Sequence, residues 1–425
     1  MIRCKVDASH SPTRIACVLA VSLACTQPGS DDEAGSESAG ETVDGETSEP
    51  LDCSQRPIDV PSARGELEGV WDAERERLVV FGGDQGTPIQ CMSQTEFVAE
   101  VWAFHPDCDN FEALQPAAGM SPRGRYALAH DPARARALLH GGRYRAGTSG
   151  TYELYDDLWA FDLASDEWVA LPGPGPTPRS NHVAAVVGDR LIVYGGNAST
   201  DGLAFTPLGD TWAFDLVAEQ WSQLSTTNDP PARLFHAAAA HEGRVYVFGG
   251  GDENAFIGPF FRDLWVLEPE SGAWTLLDDG QAGPPGTTWP DLVADPSANR
   301  LLLWSGHDDG VLGNVNTLWA YELGGGGWSQ LELGDQPDAP ANGFCDFPVD
   351  FVLPDLDAPE RRSGGAAALD ELGARLFVFG GKTDCGLVND VWSWSTSDAS
   401  FTEHSPATTG EICPRAFASC STMCF

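Results

Sequence analysis

The sequence predicts an all-β molecule built from repeated, short antiparallel sheets, and three observations carry that expectation. Turn formers and aromatics are abundant, with 47 Gly, 30 Pro, 14 Trp and 20 Phe among 425 residues, a composition that favours many short strands joined by turns over long helices. A strand-like run closing in glycine recurs six times: LVVFGG ends at Gly83, ALLHGG at Gly142, LIVYGG at Gly196, VYVFGG at Gly250, LLLWSG at Gly306 and LFVFGG at Gly381. A tryptophan follows each run, at Trp102, Trp159, Trp212, Trp265, Trp319 and Trp392, and nine positions later comes a second aromatic, at Phe111, Trp168, Trp221, Trp274, Trp328 and Phe401. Hydrophobic residues at 42% and charged residues at 20% fit a folded chain. The formal charge of -39 sets a field that repels phosphate backbones, so no nucleic-acid partner is expected.

Taken in order, the chain opens with Arg3, Lys5 and Arg14 and then the apolar run IACVLAVSLA before Cys25. That layout reads as a secretory signal over residues 1–24, too short to span a bilayer as a permanent helix. Ser-Leu-Ala-Cys at 22–25 resembles a bacterial lipobox, with Ser22 where Leu is usual. The resemblance implies lipidation of Cys25 and a membrane anchor, at the outer membrane or cell surface, with a periplasmic or secreted protein as the alternative. Residues 25–56 read as an acidic disordered tether, since residues 26–52 hold nine carboxylates and no basic residue. Eight cysteines remain beyond Cys25 as disulfide candidates, Cys53, Cys91, Cys108, Cys345, Cys385, Cys413, Cys420 and Cys424, and an even number in an exported chain favours bridges.

Arg64, Arg123, Arg179, Arg233 and Arg362 mark repeat starts, with Gly286 in that place in the fifth repeat. The order of a start such as TPRSNHVAAV, the Gly doublet, DLWAFDL and a closing Trp resembles kelch repeats over residues 64 to about 404. The resemblance implies a kelch-type β-propeller of six four-stranded blades within residues 57–425, the blades starting near 64, 123, 179, 233, 286 and 362. The tail 411–425 again begins like a repeat at Arg415, so seven blades with an incomplete last one is the alternative. β-branched and aromatic runs suit buried strands, the doublet glycines permit positive φ, and the large aromatics are expected in the wedges between blades. Asp72 with Arg77, Asp131 with Arg136, Asp295 with Arg300 and Asp370 with Arg375 recur five residues apart and read as turn-fixing pairs. In the fifth repeat Ser305 replaces the first Gly, and altered local turns around an intact sheet are expected there.

The distance from doublet to Trp falls from 19 residues in the first repeat to 11 in the sixth. Insertions therefore gather in the connection between the second and third strands, on the same face as the links between blades. Loops on a rigid scaffold vary freely, which makes that face the expected binding surface. Cys53, Cys91, Cys345, Cys385 and Cys413 are assigned to it and Cys108 to the opposite hairpins. Cys345 with Cys385 is the favoured pair, and Cys53 is expected to bridge to the group Cys413, Cys420 and Cys424.

No catalytic constellation emerges, and neither a cofactor nor a metal site is expected. Asp252, Glu253, Asp308 and Asp309 lack the spacing of a Ca²⁺ loop. Galactose oxidase shares kelch repeats, but a copper-radical set of Tyr, His and Cys cannot be assembled here. By analogy with propeller mutarotases, the candidate ligand residues at the channel mouth are Arg123, Arg179, Arg233 and Arg362, His182 and His236 three residues after their arginines, and Trp289 at the corresponding fifth-blade position. An arginine ring there suits an anionic ligand, while arginines paired to acidic neighbours would make the same residues structural. The expectation is a monomeric surface module binding a protein or a glycan, with a carbohydrate-active enzyme of the sialic-acid mutarotase type as the alternative.

Overall fold

The computed structural model describes Cys53 and residues 59–86, 94–255, 258, 260–308, 313–337, 352–353, 355, 357–383 and 386–408. The signal, Cys25, the tether apart from Cys53, Cys91, Asp309, Cys345, Cys385, Cys413, Cys420, Cys424 and the tail 411–425 lie outside the described residues.

Each repeat folds into its own four-stranded antiparallel sheet. The first blade runs Glu68–Asp72, Arg77–Phe81, Val101–His105 and Asn110–Leu114 in spatial order. Second strands are buried from their second residue onward, and Arg77–Phe81 throughout, which is why they read as unbroken apolar runs. The first strands of the blades, Glu68–Asp72, Ala127–Asp131, Val183–Val187, Ala237–His241, Asp291–Asp295 and Ala366–Asp370, lie innermost and touch in that order, and the last also touches the first. Six blades thus close a ring around an axial channel, and no seventh is present among the described residues. Every blade is one contiguous stretch of chain.

One contact, repeated six times, joins the blades. The closing aromatic of each blade packs on the residue just before the turn doublet in the blade before it. Centroid distances are 5.4 Å for Trp168 on Phe81, 5.2 Å for Trp221 on His140, 4.8 Å for Trp274 on Tyr194, 5.3 Å for Trp328 on Phe248 and 5.2 Å for Phe401 on Trp304. Phe111 on Phe379, at 5.6 Å, completes the circle between the first and sixth blades. The seam is further sealed by Trp71 stacked on Phe377 at 5.0 Å. Backbone bonds from Gly381 N–H to the Arg64 carbonyl, 2.8 Å, and from Arg64 N–H to the Val388 carbonyl, 3.2 Å, cross it as well.

The repeat-start arginines form a second recurring device. Arg233 donates through Nε to the Pro231 carbonyl, through Nη1 to the Gly249 carbonyl, and through both Nη atoms to Asp263, whose carboxylate also accepts the Trp265 indole N–H. Arg123, Arg179 and Arg362 repeat this on Asp157, Asp210 and Asp390, and Arg64 repeats it on Glu100. In the fifth blade the Gly250 amide bonds to the Thr287 carbonyl, as Gly196 does to that of Arg233. The repeat therefore starts at Thr287, one residue later than the expected Gly286. Thr317 stands two residues before Trp319, where the other blades carry the clamp carboxylate, so that blade lacks arginine and acid together. Its turn is nevertheless unaltered, contrary to expectation: Ser305 and Gly306 adopt φ of +59° and +115°, close to the +62° and +112° of Gly380 and Gly381.

The hairpin pairs are ion pairs as expected, at 2.9 Å for Asp72–Arg77, 3.0 Å for Asp131–Arg136, 2.9 Å for Asp295–Arg300 and 2.8 Å for Asp370–Arg375. The expected bridge from Cys53 to the C-terminal cysteines is corrected. Cys53 is bonded to Cys108, with Cα atoms 5.5 Å apart, and so lies at the hairpin face beside the turn His105–Asn110 rather than at the loop face. The physical reason is reach: eleven residues separate Cys53 from Arg64, enough for about 36 Å of extended chain, whereas a five-residue strand is about 17 Å long.

Candidate functional site

Two residues past each repeat start, the chain turns left-handed at six equivalent positions: Glu66, Arg125, Asn181, Phe235, Trp289 and Gly364, with φ between +51° and +59°. Only the last is a glycine, and the strain at the others is held by bonds between blades. Arg125 N–H donates to the Glu66 carbonyl at 3.1 Å, Asn181 to Arg125 at 2.9 Å, Phe235 to Asn181 at 3.1 Å and Trp289 to Phe235 at 2.8 Å. This staircase sets six residues, five of them with side chains, in a ring around the loop-face mouth of the channel.

Charge and aromatic surface meet there. Glu66 is buried and accepts from Arg125 at 2.6 Å, Arg143 at 3.1 Å and Lys382 at 2.7 Å. Burial pushes its carboxyl up, but the three cations together hold it well below the usual carboxylate range. Arg125, in the second blade, lies 4.6 Å over the ring of Trp289 in the fifth and 5.3 Å from that of Phe235 in the fourth. Second and fifth blades face each other in a ring of six, so Arg125 crosses the axis and caps the channel, leaving a mouth pocket of about 70 Å³. Its Nε and Nη1 have no hydrogen-bond acceptor, and burial, with Arg143 beside it, lowers its pKa.

Beyond the cap, the loops inserted in the first three blades pack on one another. Tyr152 is covered on its ring by Arg143 at 4.0 Å and Arg145 at 4.3 Å. It lies edge-on to Phe97 at 6.3 Å, and its amide bonds to the Thr200 carbonyl of the third-blade loop at 2.8 Å. That loop carries Leu203, which is 82% exposed.

Of the seven expected mouth residues, three border it: His182, His236 and Trp289. Arg123, Arg179, Arg233 and Arg362 do not, because their donors are committed to carbonyls and carboxylates within the blades. His182 and His236 sit under the doublet glycines of the preceding blades, where a Cβ on Gly141 or Gly195 would come within 2.9 Å of their rings. The His182 ring shares a proton with His140 across 2.9 Å. Burial pushes His140 and His236 down to about 3 and His182 well below its ordinary value, so all three are neutral. With the fifth repeat starting at Thr287, Trp289 matches Asn181 and Phe235, not the histidines. The residues missed were Glu66, Arg125, Phe235 and Lys382. For the first three the signal was the column two residues after each start, which holds a charged or aromatic residue in four of the six blades. Among the described residues no three His, Cys, Asp or Glu side chains converge as metal ligands.

A KLHDC2/KLHL20/DRC7 Kelch-repeats domain matches residues 43–250, and a Kelch motif matches residues 232–280. The chain is a six-bladed kelch-repeat propeller. This kelch chain is 31% identical over 227 residues to Kelch domain-containing protein 2 of Bos taurus, covering 49% of the chain and 52% of that protein. It is 32% identical over 220 residues to serine/threonine-protein phosphatase BSL2 of Arabidopsis thaliana, covering 47% and 20%. To the dynein alpha chain of the flagellar outer arm of Chlamydomonas reinhardtii it is 30% identical over 178 residues, covering 40% and 4%. The kelch match thus spans about half or less of the length of these relatives. Such repeats point to a protein-interaction module.

Proposed function

We propose that this propeller is an exported, lipid-anchored surface module that binds a protein partner through its loop face. The observation that carries the reading is the use of cations. In a chain of net charge -39, half of the described arginines are spent on blade clamps and hairpin pairs. Arg125, Arg143, Arg145 and Lys382 instead collect around the mouth and the Tyr152 patch. Aromatic and arginine side chains on a rigid frame are the groups that dominate protein interfaces. The patch suits a partner that presents acidic and apolar side chains together.

The reading is tested with a photo-crosslinking residue placed in the full chain on cells, at Leu203 on the loop face or at Val217 in a hairpin of the opposite face, both well exposed. Protein adducts are expected from position 203 and not from 217, and Arg145→Glu should suppress them. Equal adducts from both faces would overturn the loop-face assignment. Binding to a carbohydrate array that is lost in Arg145→Glu, without protein adducts, would replace the protein partner with a glycan. Incorporation of labelled fatty acid that disappears in Cys25→Ala is expected for the anchor.

A further inference from the structure

Below the Arg125 cap the axis is open. The channel encloses about 550 Å³ between the six inner strands and reaches the hairpin face among Ala73, Pro132, Pro296, Glu371 and Leu372. Its walls are narrow-sided and apolar, with Ala129, Ala184, Ala239, Ala294 and Ala368 contributing from five blades. The cap makes it a blind tube with its entrance on the face opposite the proposed partner surface.

The blind end is bordered by Glu68, Asp291 and His236, the three ionisable side chains that line both the channel and the mouth pocket. Unlike Glu66, neither carboxyl faces a cation. Glu68 accepts the Leu128 amide at 2.8 Å and Asp291 the Ser305 hydroxyl at 3.4 Å, and the second oxygen of each has no donor from the protein. His236, 6% exposed, also borders this end, but its ring turns away between the third and fourth blades, against Tyr194 at 5.4 Å and under Gly195. A carboxylate that faces an apolar channel with neither a cation nor a second donor is costly to keep ionised, so two of them at the closed end of one channel mark a place built to receive a donor.

Charge decides what. Around this end stand four carboxylates, Glu66, Glu68, Asp84 and Asp291, against three cations, Arg125, Arg143 and Lys382. The neighbouring ionisable groups, His130, His182, His236 and Tyr126, are neutral, because burial lowers the pKa of each histidine and raises that of the tyrosine. Fully ionised, the set is one cation short. We propose that the channel is a ligand site for a slender organic cation, a primary ammonium on an unbranched aliphatic stem, which enters from the hairpin face and sets its charged head against Glu68 and Asp291. The alanine walls accept the stem, and the ammonium supplies the missing donors and the missing charge. Glu371 at the entrance and the acidic field of the whole chain draw cations toward it.

Without ligand, protons fill that role. Burial pushes Glu68 up to about 8, with Asp291 adding to the push, and Asp291 itself up to about 7. The ammonium therefore displaces protons on binding, and affinity rises with pH until the amine itself deprotonates, near ~10.4 for a lysine-like amine.

The experiment is calorimetric titration of the disulfide-intact chain with n-pentylamine, and with n-pentanol as the neutral control, at pH 6, 7.5 and 9 in two buffers of different ionisation enthalpy. The expected result is amine binding that strengthens at least tenfold from pH 6 to 9 with net proton release at pH 7.5, no pentanol binding, and a tenfold or greater loss in Glu68→Gln or Asp291→Asn. Amine and alcohol binding alike, amine binding that survives the double variant, or no binding at pH 9 would overturn the proposal. If a variant does not fold, the wild-type pH and proton-release data still decide it. Loop-face crosslinking of the partner is unaffected by either outcome.

Discussion

Arg233 is 0% exposed and makes bonds to two carbonyls and one carboxylate from its fixed guanidinium fork. A lysine, with one tetrahedral head, cannot serve the Pro231 and Gly249 carbonyls and both oxygens of Asp263 together. Truncating the arginine also strands Asp263, which is 18% exposed, against the Trp265 indole alone. Breaking a buried pair by removing one partner costs about 3–5 kcal/mol, so Arg233→Ala should lose that much stability in denaturant unfolding, and Arg233→Lys most of it. A loss below about 1 kcal/mol would mean the clamp is ornamental. The same geometry explains why sequence reasoning found the right residue type and the wrong residues at the mouth. Arginines that recur in every repeat are the ones the repeat itself uses. Arg125 occurs at its position only in the second blade, and its place over Trp289 follows from the left-handed turn, which nothing in the side-chain order announces.

At the scale of the strand and the hairpin, the sequence was most readable where one contact repeats. The spacing of nine between aromatics is one five-residue strand plus a four-residue turn, as from Trp102 in Val101–His105 to Phe111 in Asn110–Leu114, and it places each closing aromatic on the preceding blade. The fifth blade shows the limit of such reading. With neither arginine nor aspartate to align on, the start slips by one residue, and only the Gly250 to Thr287 backbone bond fixes it. The N-terminal lead-in was harder still, because a segment outside the repeats has no pattern to set its direction. Cys53 ties that lead-in to the hairpin at Cys108, closing a loop with a sequence separation of 55. Loop-closure entropy for a bridge of this span is worth about 4 kcal/mol and measured bridges commonly give 2–4 kcal/mol. Cys53→Ser with Cys108→Ser should lower stability by that amount while leaving the sheets intact by circular dichroism. Peptide mapping of the oxidised chain should recover the Cys53–Cys108 pair, and recovery of Cys53 bonded to any other cysteine would reject it.

For the whole molecule, the ring closes without exchanging strands between its ends. The first blade holds four strands from the N-terminal repeat, and the sixth holds its own four, with Arg362–Ser363 added beside the second. Side-chain packing, edge backbone bonds and the Lys382–Glu66 ion pair join them, and that seam has the same aromatic contact as the other five interfaces. The energy that holds the ring is therefore shared among six like interfaces, and the position of the chain ends is incidental to it. The ends of the described fold are also close: the Asn389 side-chain amide donates both to the Pro61 carbonyl at 2.8 Å and to the Thr408 hydroxyl at 3.0 Å. Joining residue 408 to residue 59 through a short Gly-Ser linker, and opening the chain at Asn228 in the link between the third and fourth blades, changes no strand and no clamp. Such a permutant should fold to the same propeller with one cooperative thermal transition, shifted by the loss of the Cys53–Cys108 bridge and little else. The Cys53→Ser, Cys108→Ser chain is the matched control. Two separated transitions, or a permutant far less stable than that control, would show that the seam between the sixth and first blades is weaker than the other five and that the covalent order of the repeats is needed to hold it.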